Sequence, residues 1–256
     1  MQKIIAFYNN KGGVAKTTTA TNIAGVLSLK NKKTLLIDGD PQGHVSLTFG
    51  IEADELQGSL GAFLNSNWTA KQAQEYFIHV NNNLDVIPSN KTLSDFIVKT
   101  SSEHFEQRST HLRQFISSIK DEYDYIIFDM APAIDIMLEN IVEVVDDLVV
   151  VATPEAYAVK NAEVTLKITD DRNIVVRNIV PTKVKQNTRL HKFLLDNLKE
   201  VADSHDIKMT KTFVPELVAF SEAISLYSLP LSLVQDKKYK STQRYYEKIA
   251  SELGLV

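Results

Sequence analysis

No cysteine occurs among the 256 residues, so disulfides, thiolate metal sites and iron–sulfur clusters are excluded, and a reducing cytoplasmic setting is the simplest fit. Long apolar runs are missing too. The longest are strand-sized, short of the roughly 20 apolar residues of a membrane span, and the N-terminal run is too short for a signal peptide. Positive charge is not in excess. With 28 Lys and Arg against 32 Asp and Glu, the net charge of −4 argues against a surface coated for wrapping nucleic acid but leaves room for a local basic patch. Neither an internal repeat nor a low-complexity tract is present, so nothing points to a solenoid or a disordered tail.

What is present fits one α/β domain with a large core, and we expect a single domain over residues 1–256. Near-continuous apolar runs recur at residues 3–7, 34–37, 84–87, 125–128, 148–151 and 174–176. Strands buried on both faces read this way, and the segments between them are long enough for crossover helices. The expected fold is therefore a doubly wound, mostly parallel sheet with helices on both faces. Thr69 and Gln72 carry a capping-box pattern that marks a helix start. Residues 103–119 predict one amphipathic helix, in which His104 and His111 read as surface or boundary residues and not as a metal pair. Residues 241–253 predict a polar terminal helix without the faces of a membrane-surface helix.

The first strand runs directly into Asn9-Asn10-Lys11-Gly12-Gly13-Val14-Ala15-Lys16-Thr17-Thr18, after which Ala20, Ile23, Ala24 and Leu27 recur at helical spacing. Strand, Gly-rich turn and helix N-terminus in that order form a phosphate-binding loop of α/β P-loop NTPase type. Backbone N–H groups can surround a polyphosphate, Lys16 can neutralise its β and γ oxygens, and the Thr17 hydroxyl can hold Mg²⁺. Compared with G-x-x-x-x-G-K-[ST], Asn10 and Ala15 replace the two glycines. Asn tolerates positive φ, whereas Ala15 in that region would cost on the order of 1 kcal/mol. Lys11 is surplus to this cradle: a cation on its rim is badly placed for its own nucleotide and well placed for one facing it across a dimer.

The segment KGGVAKTT resembles the deviant Walker A motif of the ParA/MinD family of ATPases. The resemblance implies ATP held by Lys11, Gly12, Gly13, Val14, Ala15, Lys16, Thr17 and Thr18, with Lys11 reaching the phosphates of the partner subunit. Ile37-Asp38-Gly39-Asp40-Pro41-Gln42-Gly43 resembles the family's switch I, which implies that Asp40 positions the attacking water and that Asp38 supports it near the metal. The strand ending in Asp129 matches Walker B and implies a Mg²⁺ role for that carboxylate, but Met130-Ala131-Pro132 departs from the usual Thr-Pro-Pro. Val151-Ala152-Thr153-Pro154-Glu155 resembles the family's strand ending in a Pro-Glu step near the nucleotide. Asn178 and Pro215 align with the region around adenine, although each reads equally as a strand-end cap and a turn.

Within the family, the lack of cysteine excludes the nitrogenase-like iron proteins, and residues 250–256 lack a MinD-like membrane helix. Tyr239, Tyr245 and Tyr246 superficially match the tail of bacterial tyrosine kinases, but packing against the domain is the better reading of a helix-like segment. The resemblance thus implies the DNA-segregation branch, ParA and its short Soj-like members, without a preceding helix-turn-helix domain. It further implies ATP and Mg²⁺ as cofactors, a homodimer in the ATP state, and non-specific double-stranded DNA as a partner. A ParB-like centromere-binding protein would stimulate hydrolysis, there would be no membrane partner, and the protein would be cytoplasmic, on the nucleoid when ATP-bound. Lys183, Lys185, Arg189 and Lys192 are the expected DNA patch, with Lys237, Lys238, Lys240 and Arg244 as a second group. Pro215-Glu216-Leu217-Val218-Ala219 lacks the Pro-Arg-x-x-Arg that relatives often carry. The same chemistry would also serve a MinD-like switch or a positioning ATPase for a non-DNA cargo, and the sequence leaves these open.

Overall fold

Along β1 (Lys3–Tyr8), Ile4, Ala6 and Tyr8 enter one hydrophobic core while Ile5 and Phe7 enter another, the period-2 alternation of a strand buried on both faces. β2 (Thr34–Gly39) divides Leu35 and Ile37 from Leu36 in the same way, and β5 (Tyr125–Met130) divides Ile126 and Phe128 from Ile127. The computed structural model describes residues 2–53, 56–66, 68–155, 160, 163–167 and 175–256. Within them one sheet runs β3-β4-β2-β5-β1-β6-β7-β8. Its remaining strands are β3 (Ile78–Asn81), β4 (Leu84–Ile87), β6 (Asp147–Ala152), β7 (Val176–Pro181) and the short β8 (Lys208–Met209). Among the described residues only β3 pairs antiparallel.

The described helices are α1 (Lys16–Leu29), α2 (His44–Thr48), α3 (Leu60–Asn65), α4 (Ala70–Gln74), α5 (Lys91–Thr100), α6 (Phe105–Arg108), α7 (His111–Ile119), α8 (Ile136–Val142), α9 (Arg189–Ser204), α10 (Ala219–Tyr227) and α11 (Lys240–Glu252). Residues of α1 and α11 share one core; those of α3, α5, α7, α8 and α9 share the other. This is the expected α/β architecture. Full burial of a side chain such as Ile23 or Leu27 contributes about 1.5–3 kcal/mol, so the α1 face is a main anchor of the loop that precedes it. From β1 the chain crosses to β2 on one side, whereas from β5 it crosses to β6 on the other. The connections therefore diverge beside β1, where a doubly wound sheet opens a crevice at its carboxyl ends.

Several sequence expectations change in detail. The capping box is present, with Thr69 Oγ1 accepting from Gln72 N and Gln72 Oε1 accepting from Thr69 N at 3.0 Å. The helix expected over 103–119 is two helices, because Asn140 intervenes: its Nδ2 donates to Arg108 O (2.8 Å) and its Oδ1 accepts from Leu112 N (3.1 Å). His104 precedes α6 and His111 pairs with Glu103 at 2.7 Å, so the two histidines have separate places. The strand expected at 174–176 overlaps β7 only at Val176, and Ile174 lies outside the described residues. The terminal helix is less polar in place than in sequence: Tyr246, Ile249 and Ala250 are buried, and the Tyr246 hydroxyl lies 3.3 Å from Thr19 Oγ1.

Candidate functional site

After Tyr8 the chain turns through residues 9–15 into α1. Asn9 braces this turn, its Nδ2 donating to Val151 O (2.8 Å) and its Oδ1 accepting from Lys11 N (2.9 Å). Gly13 (φ 75°) and Ala15 (φ 67°) both adopt left-handed backbone. Glycine does so freely; the Ala15 methyl costs on the order of 1 kcal/mol, the strain anticipated from the sequence. Ala15 is also the N-cap of α1 and has no side-chain acceptor for the first-turn N–H groups, which suits them to an anionic ligand. Lys16 is buried beside them, with its Nζ donating to Lys11 O at 3.0 Å. Burial lowers its pKa, while Asp129 and Asp40 oppose that shift.

Asp38 and Asp129 are the penultimate residues of adjacent strands and lie in register. Thr17 Oγ1 donates to Asp129 Oδ2 at 2.6 Å, while Asp129 Oδ1 is buried without a hydrogen-bond partner. Burial raises the Asp129 pKa, opposed by the Thr17 hydrogen bond and by Lys16. A hydroxyl and a partly unsatisfied carboxylate are hard oxygen donors, and they fit Mg²⁺, which typically takes one or two protein oxygens plus phosphates and water. Asp38 behaves differently. Its Oδ1 accepts from Asp40 N (3.0 Å) and its Oδ2 from Val45 N (3.1 Å), so both oxygens brace the 40–45 turn while the residue stays opposite Asp129 in register. Asp40 accepts from Gln42 N at 2.9 Å and faces the loop.

A cavity of about 550 Å³ gathers Gly12, Gly13, Lys16, Thr17, Asp40 and Gln42. A second, of about 300 Å³, lies beside it and is walled by Val214, Pro215, Leu217, Phe220 and Tyr246. Pro215 thus joins the loop, but Asn178 does not. Asn178 sits within β7 opposite Val149 and lines a separate cavity of about 1040 Å³ with Lys3 and Asp147, at the amino ends of β1 and β6. The reason is the length of β7: it continues to Pro181, and it is Thr182 whose Oγ1 donates to Val14 O at 2.8 Å. Sequence reasoning missed Thr182, Phe220 and Tyr246. The available signal was an aromatic side chain in each segment, Phe220 in the apolar stretch after Pro215 and Tyr246 in the polar α11; Thr182 carried none.

The basic residues separate into different surroundings. Lys11 forms an ion pair with Glu155 and is not among the residues lining the 550 Å³ cavity. The Lys11 hydrogen bond holds the Glu155 carboxyl below its ordinary range. Of the expected DNA patch, Lys183 lines both cavities. Lys185 lies 3.4 Å from Glu216, while Arg189 and Lys192 are exposed in the first turn of α9, capped by Thr188. In the second group, Lys238 sits 4.5 Å over the Tyr239 ring. Among the described residues, no helix is long and apolar enough to cross a membrane, and no group of three or more His, Asp or Glu could hold a metal.

Comparison with known proteins agrees with this arrangement. A family model described as an AAA domain matches residues 2–179. The chain is 30% identical over 264 residues to the chromosome-partitioning ATPase Soj of Treponema pallidum, covering 99% of this chain and 97% of that protein. It is 28% identical over 262 residues to a ParA family protein of Mycoplasma pneumoniae, covering 98% and 96%. A solved structure of a putative plasmid partition protein from Borrelia burgdorferi, bound to AMPPNP, is similar at a TM-score of 0.81 and 27% identity, covering 100% of both chains. With similarity running from one end of the sequence to the other, and with the loop and its carboxylates in the same fold, the chain belongs to the ParA/MinD family of partition ATPases.

Proposed function

We propose that the chain is a Mg²⁺-dependent ATPase working as a timed switch in DNA partition: ATP drives dimerisation, the dimer binds DNA without sequence preference, and hydrolysis stimulated by a ParB-like partner releases it. The observation that carries this reading is the contrast between the two lysines of the loop. Lys16 is buried against the phosphate cavity, whereas Lys11 stands outside it and ends at an exposed carboxylate. A cation so placed can leave Glu155 for a facing subunit's triphosphate, offsetting the repulsion between two polyanions and stabilising the transition state in trans. Apolar side chains near the cavity, Leu47 at 49% exposure and Val218 at 71%, support a surface that a second copy covers.

Within each subunit, Lys16 and the α1 N–H groups neutralise the β and γ oxygens, and Asp40 orients the attacking water. Thr17 and Asp129 would hold Mg²⁺, which when bound supplies further charge neutralisation on the phosphates. The apolar cavity beside Pro215 takes the base. DNA attachment falls to exposed cations, with Arg189 and Lys192 as the main pair, and the chromosome-partitioning name of the Treponema relative supports that destination.

The test is Lys11→Ala. By light scattering the wild type should be dimeric with ATP and monomeric with ADP, whereas the variant should stay monomeric in both yet still bind ADP. An unaltered ATP-dependent dimer would remove the trans role of Lys11.

A further inference from the structure

We propose that Lys183 is a nucleotide-binding residue, contacting the phosphates nearest the ribose at the neck between the base pocket and the phosphate cavity; this rests on the ATPase reading above. The two cavities share four lining residues, Ala15, Thr18, Lys183 and Ile224. A nucleotide filling both must pass that neck with its sugar and first phosphates. Of the four, only Lys183 carries a charge. One wall of the neck is the N-terminus of α1, so a cation on the other wall would hold the anion from both sides.

The backbone supports the same conclusion. Lys183 adopts φ 52°, a left-handed conformation that is unfavourable for a lysine and persists only where its surroundings impose it. Both neighbours are pinned. Thr182 N donates to Ala152 O (2.8 Å) and Thr182 Oγ1 to Val14 O (2.8 Å), while Val184 N donates to Val214 O (3.1 Å). The strained residue is thus held between the phosphate loop on one side and the base pocket on the other. Its side chain is exposed and, among the described residues, makes no ion pair; Glu155, already paired with Lys11, feels its charge, whereas nearby Lys185 takes Glu216.

The test measures ADP and AMPPNP affinities by calorimetry for wild type, Lys183→Gln, Lys183→Gly and Lys183→Arg, with circular dichroism to verify folding. Loss of one charge-assisted contact should weaken both nucleotides about tenfold in the Gln and Gly variants, while Arg retains most of the affinity. Gly relieves the left-handed strain and Gln does not, so a shared loss identifies the charge as the cause. Unchanged ADP affinity in the Gln variant, a loss confined to AMPPNP, or a loss in Gln that Gly restores would overturn the assignment. A wild type that binds neither nucleotide would overturn the ATPase reading and this inference with it.

Discussion

Lys11 and Glu155 form an ion pair within one chain, ammonium to carboxylate, linking the rim of the phosphate loop to the segment that follows β6. In the proposed dimer Lys11 must exchange this carboxylate for a phosphate across the interface, so the pair opposes dimerisation. Both groups are substantially exposed, and such pairs contribute about 0–1 kcal/mol. Glu155→Gln should therefore lower the protein concentration needed for ATP-dependent dimers, by up to about fivefold per subunit. Concentration-dependent light scattering measures this, and an unchanged midpoint would mean that Glu155 does not restrain Lys11.

Asp40→Ala should separate binding from turnover. The change removes the carboxylate assigned to orienting water and also a negative charge beside the phosphate cavity. Hydrolysis should fall about 10²-fold or more while ATP affinity holds or rises. Single-turnover phosphate release at the wild-type rate would reduce Asp40 to a turn residue that accepts from Gln42 N.

Ala15→Gly should stabilise the protein. Left-handed backbone costs alanine about 1–2 kcal/mol, and the extra chain entropy of glycine offsets roughly 0.5–1 kcal/mol of the gain. The net, about 0–1.5 kcal/mol, corresponds to a rise in Tm of up to about 6 °C for a domain of this size. Calorimetric scans of the nucleotide-free protein read it directly, and a lower Tm would show that the Ala15 methyl contributes packing worth more than its strain.

Arg189→Glu with Lys192→Glu should weaken DNA binding by the ATP-bound dimer. Each phosphate contact contributes a slope of about −0.9 in log K against log salt, so losing both should flatten the slope by roughly 2. Nucleotide affinity should be untouched, because neither residue lines the two cavities at the loop. Wild-type salt dependence in the double variant would send the search to Lys240 and Arg244.

Much of the catalytic arrangement is local, and local features are what a sequence carries well. Residues 9–18 encode their own turn and helix start; apolar runs such as 125–128 declare strands buried on both faces; Asp129 directly follows that run, still within its strand. Thr69 and Gln72 specify a helix start within four residues. What lay beyond reach depends on which distant segments meet. Asn178 looked like the end of a strand because its apolar run is short, but pairing with β6 carries β7 on to Pro181 and hands the contact with the loop to Thr182. Lys183 and Lys185 are two residues apart and read alike, yet the left-handed turn brings one to the cleft and leaves the other to Glu216. The wall around Phe220 and Tyr246 comes from chain more than 200 residues after the loop it adjoins. The sequence by itself determined the α/β class, the phosphate loop and the order of its carboxylates, because backbone conformation and burial period are set by neighbours a few residues apart. Only the tertiary structure decided which lysine faces which anion and where the base pocket lies, because strand order and packing, and not spacing along the chain, bring those groups together.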